Sequence, residues 1–528
     1  YIKNITLESS DGTKLGKSIA AKVFIDCTYE GDLMAKAGVS YMIGREDNKQ
    51  YGETYNGVQL MKGHQFPDGV DPYKIKGDST SGLLWGISPA ALSSDGTGDE
   101  LIQAYNYRIC LTDNPANKIE ITRPENYDST KYELLLRLFD AQPNKRKLNH
   151  YFIWSRMPNN KTDINNRGGF STDMIGMNHN YPEASYEERA EIIKAHKDYT
   201  QGLLYFYKTD PRVPQELRDE IQAWGYPKDE YTEDNHWSPQ LYIRESRRMT
   251  GDYVMTQAHC EGRETVTDGI GMAAYTMDSH NCQRLLVKKD GKYMVKNEGN
   301  VEIGGGFPYP ISYRSIIPKE EECKNLLVPV CLSASHIAYG SIRMEPVFMV
   351  LAQSAAIAAA EAINTGSVQT VDIKKVQALL HENPLLDGSF SEILIDDSEL
   401  DLSINNDWEV IKKQGGYGPT FLKSKVRNGS PVRFSPHMEH EGKYKVYTYY
   451  HMRKDISPAI TYSISDGIDS WTRVIHKDSV RIEGQTTGEW IELGTYNFQK
   501  SPMPYIEIST GDTSGTVIAD AVLFIPVK

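Results

Sequence analysis

The sequence predicts an α/β body that extends to about residue 390, followed by an all-β sandwich from 393 to 528. Two patterns support this division. Residues 325–366 run from a short apolar segment through small residues into a long Ala-rich stretch, which is typical of a buried strand followed by a helix. After residue 393, short runs of alternating apolar and polar residues are separated by turns, as in antiparallel strands. At 528 residues the chain is also too long for one ordinary core.

The first 26 residues are predicted to form a hairpin that leads into the sheet of the body. Runs at 5–7 and 20–25 flank a turn at 10–12, and the second run is apolar on both faces near its end. The acidic turn after it lies at the carboxyl end of a strand, where open α/β sheets bind ligands. From the residues alone, helix capping is the favoured role of that turn, and a short helix at 33–38 follows.

Residues 40–320 are aromatic and rich in loops, and they are predicted to form an inserted substrate region. Helices are expected at 129–138 and at 186–207, where Ser185 and Glu188 have the spacing of a capping box. The Tyr, Trp and Arg content suits sugar or planar ligands, although an ordinary Tyr-rich core has the same composition. The stretch 268–274 matches G-x-G-x-x-A, but its flanks are too charged and interrupted for a dinucleotide fingerprint.

The segment 325–366 is predicted to be a strand at 325–331, a small-residue turn at 333–341 and a helix at 347–363. Pro346 suits the first helical turn and Gly366 suits the C-terminal cap. A strand, a loop and a helix N-terminus together hold polar ligands over free backbone N–H groups. The small Ala side chains require a close neighbour, which is either plain core or a cofactor.

Several sequence blocks resemble one family. They read FIDCTYEGDL at 24–33, QAYNYR at 103–108, KTDINN at 161–166, LYIRESRRM at 241–249 and MDSH at 277–280. Together with 325–366, they resemble the FAD-dependent oxidoreductases of bacterial carbohydrate loci, many of which are named as xanthan lyase-like proteins. The resemblance covers about residues 1–370 and implies a flavoprotein-like body that binds FAD.

The resemblance also implies a set of site residues. Those at the cofactor would be Asp26, Thr28, Glu30, Gly31, Asp32, Ser341, Arg343, Met344 and Glu345. Arg343 and the helix dipole would place positive potential where reduced flavin carries negative charge. The candidates for catalytic proton transfer are His336, His280 and Tyr339, and those for substrate binding are Arg244, Arg248 and Arg314. Satisfied structural histidines and ion-pair networks are the alternatives.

The C-terminal part alternates at 443–450, 459–464, 490–494, 505–509 and 517–524. Its motifs WIELGTY at 490–496 and ADAV at 519–522 resemble the golvesin-type module that is attached to xanthan lyase-like proteins. Sandwiches of this kind often bind glycans, and a purely structural appendage is the alternative.

Composition excludes several partners. The net charge of −13 argues against nucleic acids and polyanionic polymers. The six cysteines include no C-x-x-C, which argues against zinc and iron–sulfur clusters, and we assign no metal-binding residue. No apolar run approaches the roughly 20 residues of a membrane span. We expect a small-molecule or glycan substrate, and an extracytoplasmic location is favoured.

The chain begins at Tyr1, inside a strand-like run. We expect that it lacks the Gly-rich Rossmann unit that precedes this point in the family, and that it binds FAD weakly or not at all as a result.

Three functions stay open. They are a flavoenzyme acting on a carbohydrate-derived or other small substrate, a polysaccharide lyase, and a non-catalytic glycan-binding protein on a decayed flavoprotein fold.

The change of periodicity between 384 and 397 generates a first prediction. Limited proteolysis should release a folded C-terminal fragment of about a quarter of the 59.6 kDa chain, because domain boundaries lie in exposed linkers. Mass spectrometry of the fragments checks this, and a first cut inside 410–520 would contradict the boundary.

Overall fold

The computed structural model describes residues 1–7, 16–305, 308–382, 388–401, 406–412, 416–418, 420–482, 488–510 and 514–527. The chain divides into two units, and each is described by itself. The N-terminal body ends at Ile373, and the C-terminal module begins at Lys374.

The first hairpin of the body forms, but its second strand is Ser18–Ala20 and not the predicted run at 20–25. Asn4–Thr6 pairs antiparallel with Ser18–Ala20, while the predicted turn at 10–12 lies outside the described residues. Phe24–Ile25 then pairs in parallel with Leu326–Leu327. Because parallel strands end at the same edge, the turn after residue 25 and the loop after residue 327 lie side by side.

Helices and small sheets together build the body. Its α-helices are Asp32–Lys36, Asn48–Tyr51, Glu133–Ala141, Tyr186–Thr209, Gln215–Gln222, Gln257–Cys260, His336–Ile342 and Glu345–Thr365. The predicted capping box is confirmed: Ser185 Oγ accepts from Glu188 N at 3.2 Å, and Glu188 Oε2 accepts from Ser185 N at 2.8 Å.

The other described strands of the body form antiparallel pairs. These are Tyr41–Met42 with Arg248–Met249, Tyr73–Ile75 with Asp78–Leu83, Lys118–Ile119 with Tyr226–Pro227, Phe152–Met157 with Lys161–Asn166, Gly269–Ala273 with Tyr309–Ser312, Met277–Ser279 with Val301–Ile303, and Gln283–Lys289 with Lys292–Glu298. The glycines of the G-x-G-x-x-A match therefore lie in a strand, and they do not form the turn between a strand and a helix.

Tyrosine is a core residue in the middle region. Tyr132, Tyr151, Tyr199 and Tyr207 are buried in one aromatic cluster that includes Phe139. The rings of Tyr132 and Tyr199 lie 5.8 Å apart, and those of Phe139 and Tyr207 lie 5.7 Å apart. These tyrosines therefore stabilise the body through packing, which was the plainer of the two interpretations of the composition.

The segment 333–341 differs from its prediction. Most of the expected turn is the helix His336–Ile342, which Ser335 caps by accepting a hydrogen bond from Ala338 N at 3.3 Å. Its Gly and Ser residues are typical of a loop, but here small side chains are needed for close packing. A Cβ at Gly340 would lie 2.8 Å from Asp278 O. The next helix, Glu345–Thr365, ends at Gly366 with φ of 87°, as predicted.

The helix Glu345–Thr365 is long enough and apolar enough to cross a membrane. The statement that no apolar run has this length was therefore wrong. Eight of its residues, among them Leu351, Ala355 and Ala358, are buried, and Ser354 Oγ donates to Ile270 O at 2.5 Å. These contacts are those of a helix packed in a protein core.

The C-terminal module is an antiparallel β-sandwich that follows the helix Ile373–Glu382. Its sheets, in spatial order, are Ile393–Asp396, Ala521–Pro526, Gly442–His451 and Gly488–Phe498; Trp408–Lys412, Thr420–Ser424 and Ile518–Ala519; and Val432–Phe434, Tyr505–Ser509, Ala459–Ser465 and Ser470–His476. Four of the five predicted runs are single strands. The fifth, 517–524, is divided at Asp520 into two strands.

A buried histidine makes the body sensitive to acid. His196 is 1% exposed, and burial lowers its pKa to about 4. In the unfolded chain a histidine titrates near pH 6.5, so between about pH 6.5 and pH 4 the unfolded state binds more protons and stability falls as the pH falls.

When the pH falls from 7 to 5, the free energy of unfolding should decrease by roughly 2 kcal/mol less in His196→Leu than in the wild type. Urea unfolding of both proteins at both pH values measures this. The His196 Nε2 atom has no hydrogen-bond partner among the described residues, and Nδ1 contacts only the Ile192 carbonyl of its own helix at 2.8 Å, so the variant should fold. Equal pH dependence in the two proteins would show that another group is responsible.

Candidate functional site

The turn after Phe24–Ile25 is held by its own side chains. The carboxylate of Asp26 accepts from Thr28 N at 3.1 Å, from Thr28 Oγ1 at 2.7 Å and from Met34 N at 3.0 Å. Gly31 has φ of 66°, and a Cβ at this position would lie 3.1 Å from Cys331 Sγ. The turn is therefore rigid and packs closely on the loop that follows Leu326–Leu327.

Asp32 and Glu30 connect this turn to the rest of the body. Asp32 accepts from Arg189 at 2.7 and 2.9 Å and from Arg247 at 2.7 Å. Burial would raise the pKa of Asp32, but these two guanidinium groups lower it below its ordinary value. Glu30 accepts from Tyr181 OH at 3.1 Å, and burial raises its pKa.

Arg343 lies between the helices His336–Ile342 and Glu345–Thr365 and is 3% exposed. Its Nη2 donates to Asp278 Oδ2 at 3.0 Å and to Asp278 O at 3.1 Å. Its Nε has no hydrogen-bond partner among the described residues. Met344 is the N-cap of the second helix, and the half-buried Glu345 is its first residue.

The turn and this helix end are neighbours. The Tyr29 ring contacts the Phe348 ring with centroids 6.1 Å apart. Burial raises the pKa of Tyr29, and the negative charge of Glu345 adds to the effect. Ser341 faces the other side, where its hydroxyl accepts from Tyr309 OH at 2.7 Å and donates to Tyr275 O at 2.6 Å.

Arg343 belongs to a group of neighbouring polar side chains, which we call the inner cluster. Its members are Asp173, Tyr242, Arg244, Asp278, His280 and Arg343. His280 Nδ1 lies 2.6 Å from Asp173 Oδ2, and His280 Nε2 lies 3.8 Å from Asp278 Oδ2. The Arg244 guanidinium lies over the Tyr242 ring, 5.1 Å from its centroid. The cluster reaches solvent at Asp278 and His280, whose side chains are 14% and 11% exposed.

The inner cluster contains polar atoms without partners. Arg244 Nη2 and Asp173 Oδ1 lie 3.0 Å apart, but neither atom makes a hydrogen bond with the described residues. Arg244 Nε is also without a partner. Because unpaired buried donors are costly, this arrangement suits a ligand that brings acceptor atoms.

The charges of the cluster set its protonation states. Burial lowers the pKa of His280, and the neighbouring Arg244 lowers it further, against the opposing effect of Asp173. Burial would raise the pKa of Asp173, but Arg244 and His280 lower it overall. At neutral pH the pair is therefore a neutral imidazole oriented by a carboxylate, an arrangement that can accept a proton.

His336 lies in a second, deeper network. Its Nδ1 contacts Glu245 Oε2 at 2.8 Å, its Nε2 contacts Ser279 Oγ at 2.9 Å, and its backbone N–H donates to Glu46 Oε2 at 2.8 Å. Burial opposes ionisation of Glu245, but His336 and Arg248 lower its pKa to about 2. His336 and Glu245 are each 1% exposed, so this network is fully buried.

The remaining predicted residues lie outside the inner cluster. Arg248 belongs to the deeper network, where its Nη2 donates to Glu46 Oε1 at 2.6 Å. Tyr339 is buried in the same region, and burial raises its pKa well above the ordinary value. Arg314 pairs with Asp268 at 3.0 Å and lies 3.9 Å from the centroid of the Tyr253 ring.

A groove of about 920 Å³ is lined by a different part of the body, including Tyr41, His179, Glu183 and Glu191. It contains none of the inner cluster residues. We place the candidate site at the inner cluster because unpartnered buried groups indicate a ligand more directly than volume does.

Sequence reasoning missed three members of the site. Asp278 and Tyr242 lie inside the blocks MDSH and LYIRESRRM that support the family resemblance, so a signal for them was present. Asp173 lies in no such block. It meets His280 only through the fold, more than a hundred residues along the chain.

Comparisons with known proteins agree with this organisation. The family model described as FAD dependent oxidoreductase matches residues 1–380, and that of the golvesin C-terminal domain matches residues 393–526. The chain therefore belongs to the FAD-dependent oxidoreductase family and carries a golvesin-type C-terminal domain. No curated protein matches the chain.

Solved structures resemble only a part of the chain. A Paenibacillus xanthan lyase is 22% identical with a TM-score of 0.23, and the match covers 26% of this chain and 13% of that one. A Podospora anserina GH26-CBM35 β-(1,4)-mannanase is 9% identical with a TM-score of 0.21, over 26% and 28% of the two chains. A Phanerochaete chrysosporium exo-β-1,3-galactanase is 14% identical with a TM-score of 0.19, over 25% and 29%. The chain thus spans less than a third of each of these proteins.

The charges around His280 predict that two substitutions shift its pKa in opposite directions. Because Asp173 raises the pKa of His280 and Arg244 lowers it, Asp173→Asn should lower this pKa further and Arg244→Gln should raise it. NMR titration of histidine-labelled protein, with the signal assigned through His280→Asn, measures both shifts. Asp478→Asn, at an exposed position of the C-terminal module, is the control. Shifts of the same sign in both variants would contradict the geometry.

Proposed function

We propose that this protein is an FAD-dependent oxidoreductase that oxidises a hydroxyl group of a carbohydrate-derived or other small polar substrate. The inner cluster is the observation that carries the proposal. A neutral His280, oriented by buried Asp173, lies beside two buried guanidinium groups that have N–H donors without hydrogen-bond partners among the described residues. A base and fixed positive charge are what a hydroxyl needs when it loses a proton as hydride leaves its carbon.

The residues present fit a flavin at the end of the helix Glu345–Thr365. Arg343 brings a buried charge and an unpartnered Nε to the positive end of the helix dipole. The rigid turn at 26–32 adjoins the same end through Tyr29 and Phe348. We propose that Arg343, Glu345 and this turn hold the flavin, and bound FAD supplies the hydride acceptor.

The side chains of the cluster then have separate roles. Asp173 accepts from the Nδ1–H of His280, which leaves the lone pair on Nε2 to take the substrate's hydroxyl proton. Arg244 donates to the substrate oxygen and stabilises the negative charge that develops on it. The carbon–oxygen bond becomes a carbonyl as hydride leaves the carbon and the proton moves to His280.

A polysaccharide lyase would use the same groups differently. Arg244 and Arg343 would neutralise a uronate carboxylate, and His280 would remove the proton from the adjacent carbon. The presence of two buried guanidinium groups, whose Nε atoms have no hydrogen-bond partner among the described residues, favours this second candidate. An assay for unsaturated uronate products distinguishes it, because an oxidoreductase forms none.

The C-terminal module offers a surface for the glycan-binding hypothesis. Tyr417, Tyr449 and Trp490 have ring centroids between 5.3 and 6.0 Å apart, and Tyr417 is 47% exposed. Exposed aromatic rings of this kind stack against the apolar faces of sugars. We propose that the module brings the body to a glycan.

Titration of the chain with FAD, followed by the flavin absorbance at about 450 nm, tests the oxidoreductase proposal. We expect Arg343→Met to weaken FAD binding at least tenfold, about 1.4 kcal/mol, and Arg343→Lys to restore part of it. Arg156→Met is the matched control, since the Arg156 side chain is 58% exposed and pairs with Asp113. His280→Asn should keep the flavin and lose its reduction by sugars. Equal FAD affinity in the wild type and in Arg343→Met would contradict the assigned flavin site, and bound flavin that no sugar reduces would contradict the proposed reaction.

A further inference from the structure

Three aspartates meet in the C-terminal module, although two of them are far from the third in sequence. Asp396 ends the strand Ile393–Asp396, Asp397 follows it, and Asp520 separates Ile518–Ala519 from Ala521–Pro526. The ladder pairs Asp396 with Ala521, which places the junction at residue 520 beside residues 396 and 397. One carboxylate oxygen from each aspartate lies within 4.8 Å of the others.

Each of these carboxylates is buried and only half satisfied. Asp396, Asp397 and Asp520 are 9%, 2% and 0% exposed. One oxygen of each accepts a hydrogen bond: Asp396 Oδ2 from Ser398 Oγ at 3.0 Å, Asp397 Oδ2 from Thr420 Oγ1 at 2.9 Å, and Asp520 Oδ2 from Tyr417 N at 2.9 Å. The Oδ1 atoms of all three have no hydrogen-bond partner among the described residues.

Among the described residues, no positive charge compensates the three carboxylates. Within the described part of the chain, none of the three aspartates forms an ion pair with Lys, Arg or His. Burial raises the pKa of Asp397 and of Asp520 to about 7, and the neighbouring carboxylates contribute to both shifts. Buried carboxylates this close together are unfavourable unless protons or a cation neutralise them.

The backbone also approaches the cluster closely. A Cβ at Gly416 would lie 2.9 Å from Asp520 Oδ2, and a Cβ at Gly418 would lie 2.6 Å from Asp396 Oδ2. Only glycine permits this approach, so residues 416–418 pack directly against the carboxylates. Asp397 and Asp520 are correspondingly almost fully buried.

We propose that Asp396, Asp397 and Asp520 bind a Ca²⁺ ion. Carboxylate oxygens are the ligands that hard divalent cations prefer, and the absence of His and Cys from the group disfavours Zn²⁺. Ca²⁺ tolerates an irregular oxygen shell, whereas Mg²⁺ requires near-ideal octahedral geometry. The ion connects the strand Ile393–Asp396 to the junction at residue 520 and holds the loop that carries Tyr417.

The proposal is tested by treating the full chain with EDTA and then measuring its binding of calcium at pH 7.5. We expect one site by calorimetric titration with CaCl₂. The melting temperature of the C-terminal module should rise by about 5 °C or more at a hundredfold excess over Kd, with a smaller rise in MgCl₂.

Charge-removing variants separate loss of the ligand from misfolding. Asp520→Asn and Asp397→Asn should abolish the response to CaCl₂. Without calcium they should melt at or above the wild-type temperature, because each removes one of the repelling carboxylates. Asp478→Asn, an exposed position in the same module, should keep the full response. If the wild type binds no calcium and melts at the same temperature in EDTA and in CaCl₂, the proposal is wrong.

Discussion

The short parallel pair between Phe24–Ile25 and Leu326–Leu327 determines where the polar groups of the body meet. Phe24 N donates to Asn325 O at 2.9 Å, and Asp26 N donates to Leu327 O at 2.8 Å. The Asn325 side chain adds bonds to Ile2 O at 2.9 Å and to Lys22 O at 3.1 Å. These few bonds join segments about three hundred residues apart, and loop-closure entropy grows slowly enough with length to allow it. The acidic turn at 26–32 and the loop after Leu327 meet at this junction, where Cys331 Sγ lies 3.4 Å from Thr28 O.

Local patterns predicted the elements whose residues interact within one turn or one strand. The helix Tyr186–Thr209, the end of the Ala-rich helix at Gly366 and most strands of the sandwich belong to this class. The helix His336–Ile342 was missed because its small residues are selected by contacts with Asp278 and by burial, which no local pattern encodes. The break at Asp520 was missed for a similar reason, since residues 517–524 alternate as one continuous strand would.

The candidate site was predictable only in part. Family blocks indicated Arg343, Arg244 and His280, and the structure brings these three together. The deeper network could not be predicted, because its burial depends on pairing between distant charges. Removing one partner of such a buried pair costs about 3–5 kcal/mol, so the first role of these pairs is to stabilise the fold. Gln103 connects both levels: it donates to Glu245 Oε2 at 2.8 Å and accepts from His280 N at 3.2 Å.

The interruption at residue 520 has a mechanical consequence. The chain passes there from one sheet to another, because Ile518–Ala519 pairs with Thr420–Ser424 whereas Ala521–Pro526 pairs with Gly442–His451. Extension of the chain from its C-terminal end must therefore break two separate hydrogen-bonded ladders, one after the other. We expect a module built in this way to resist extension.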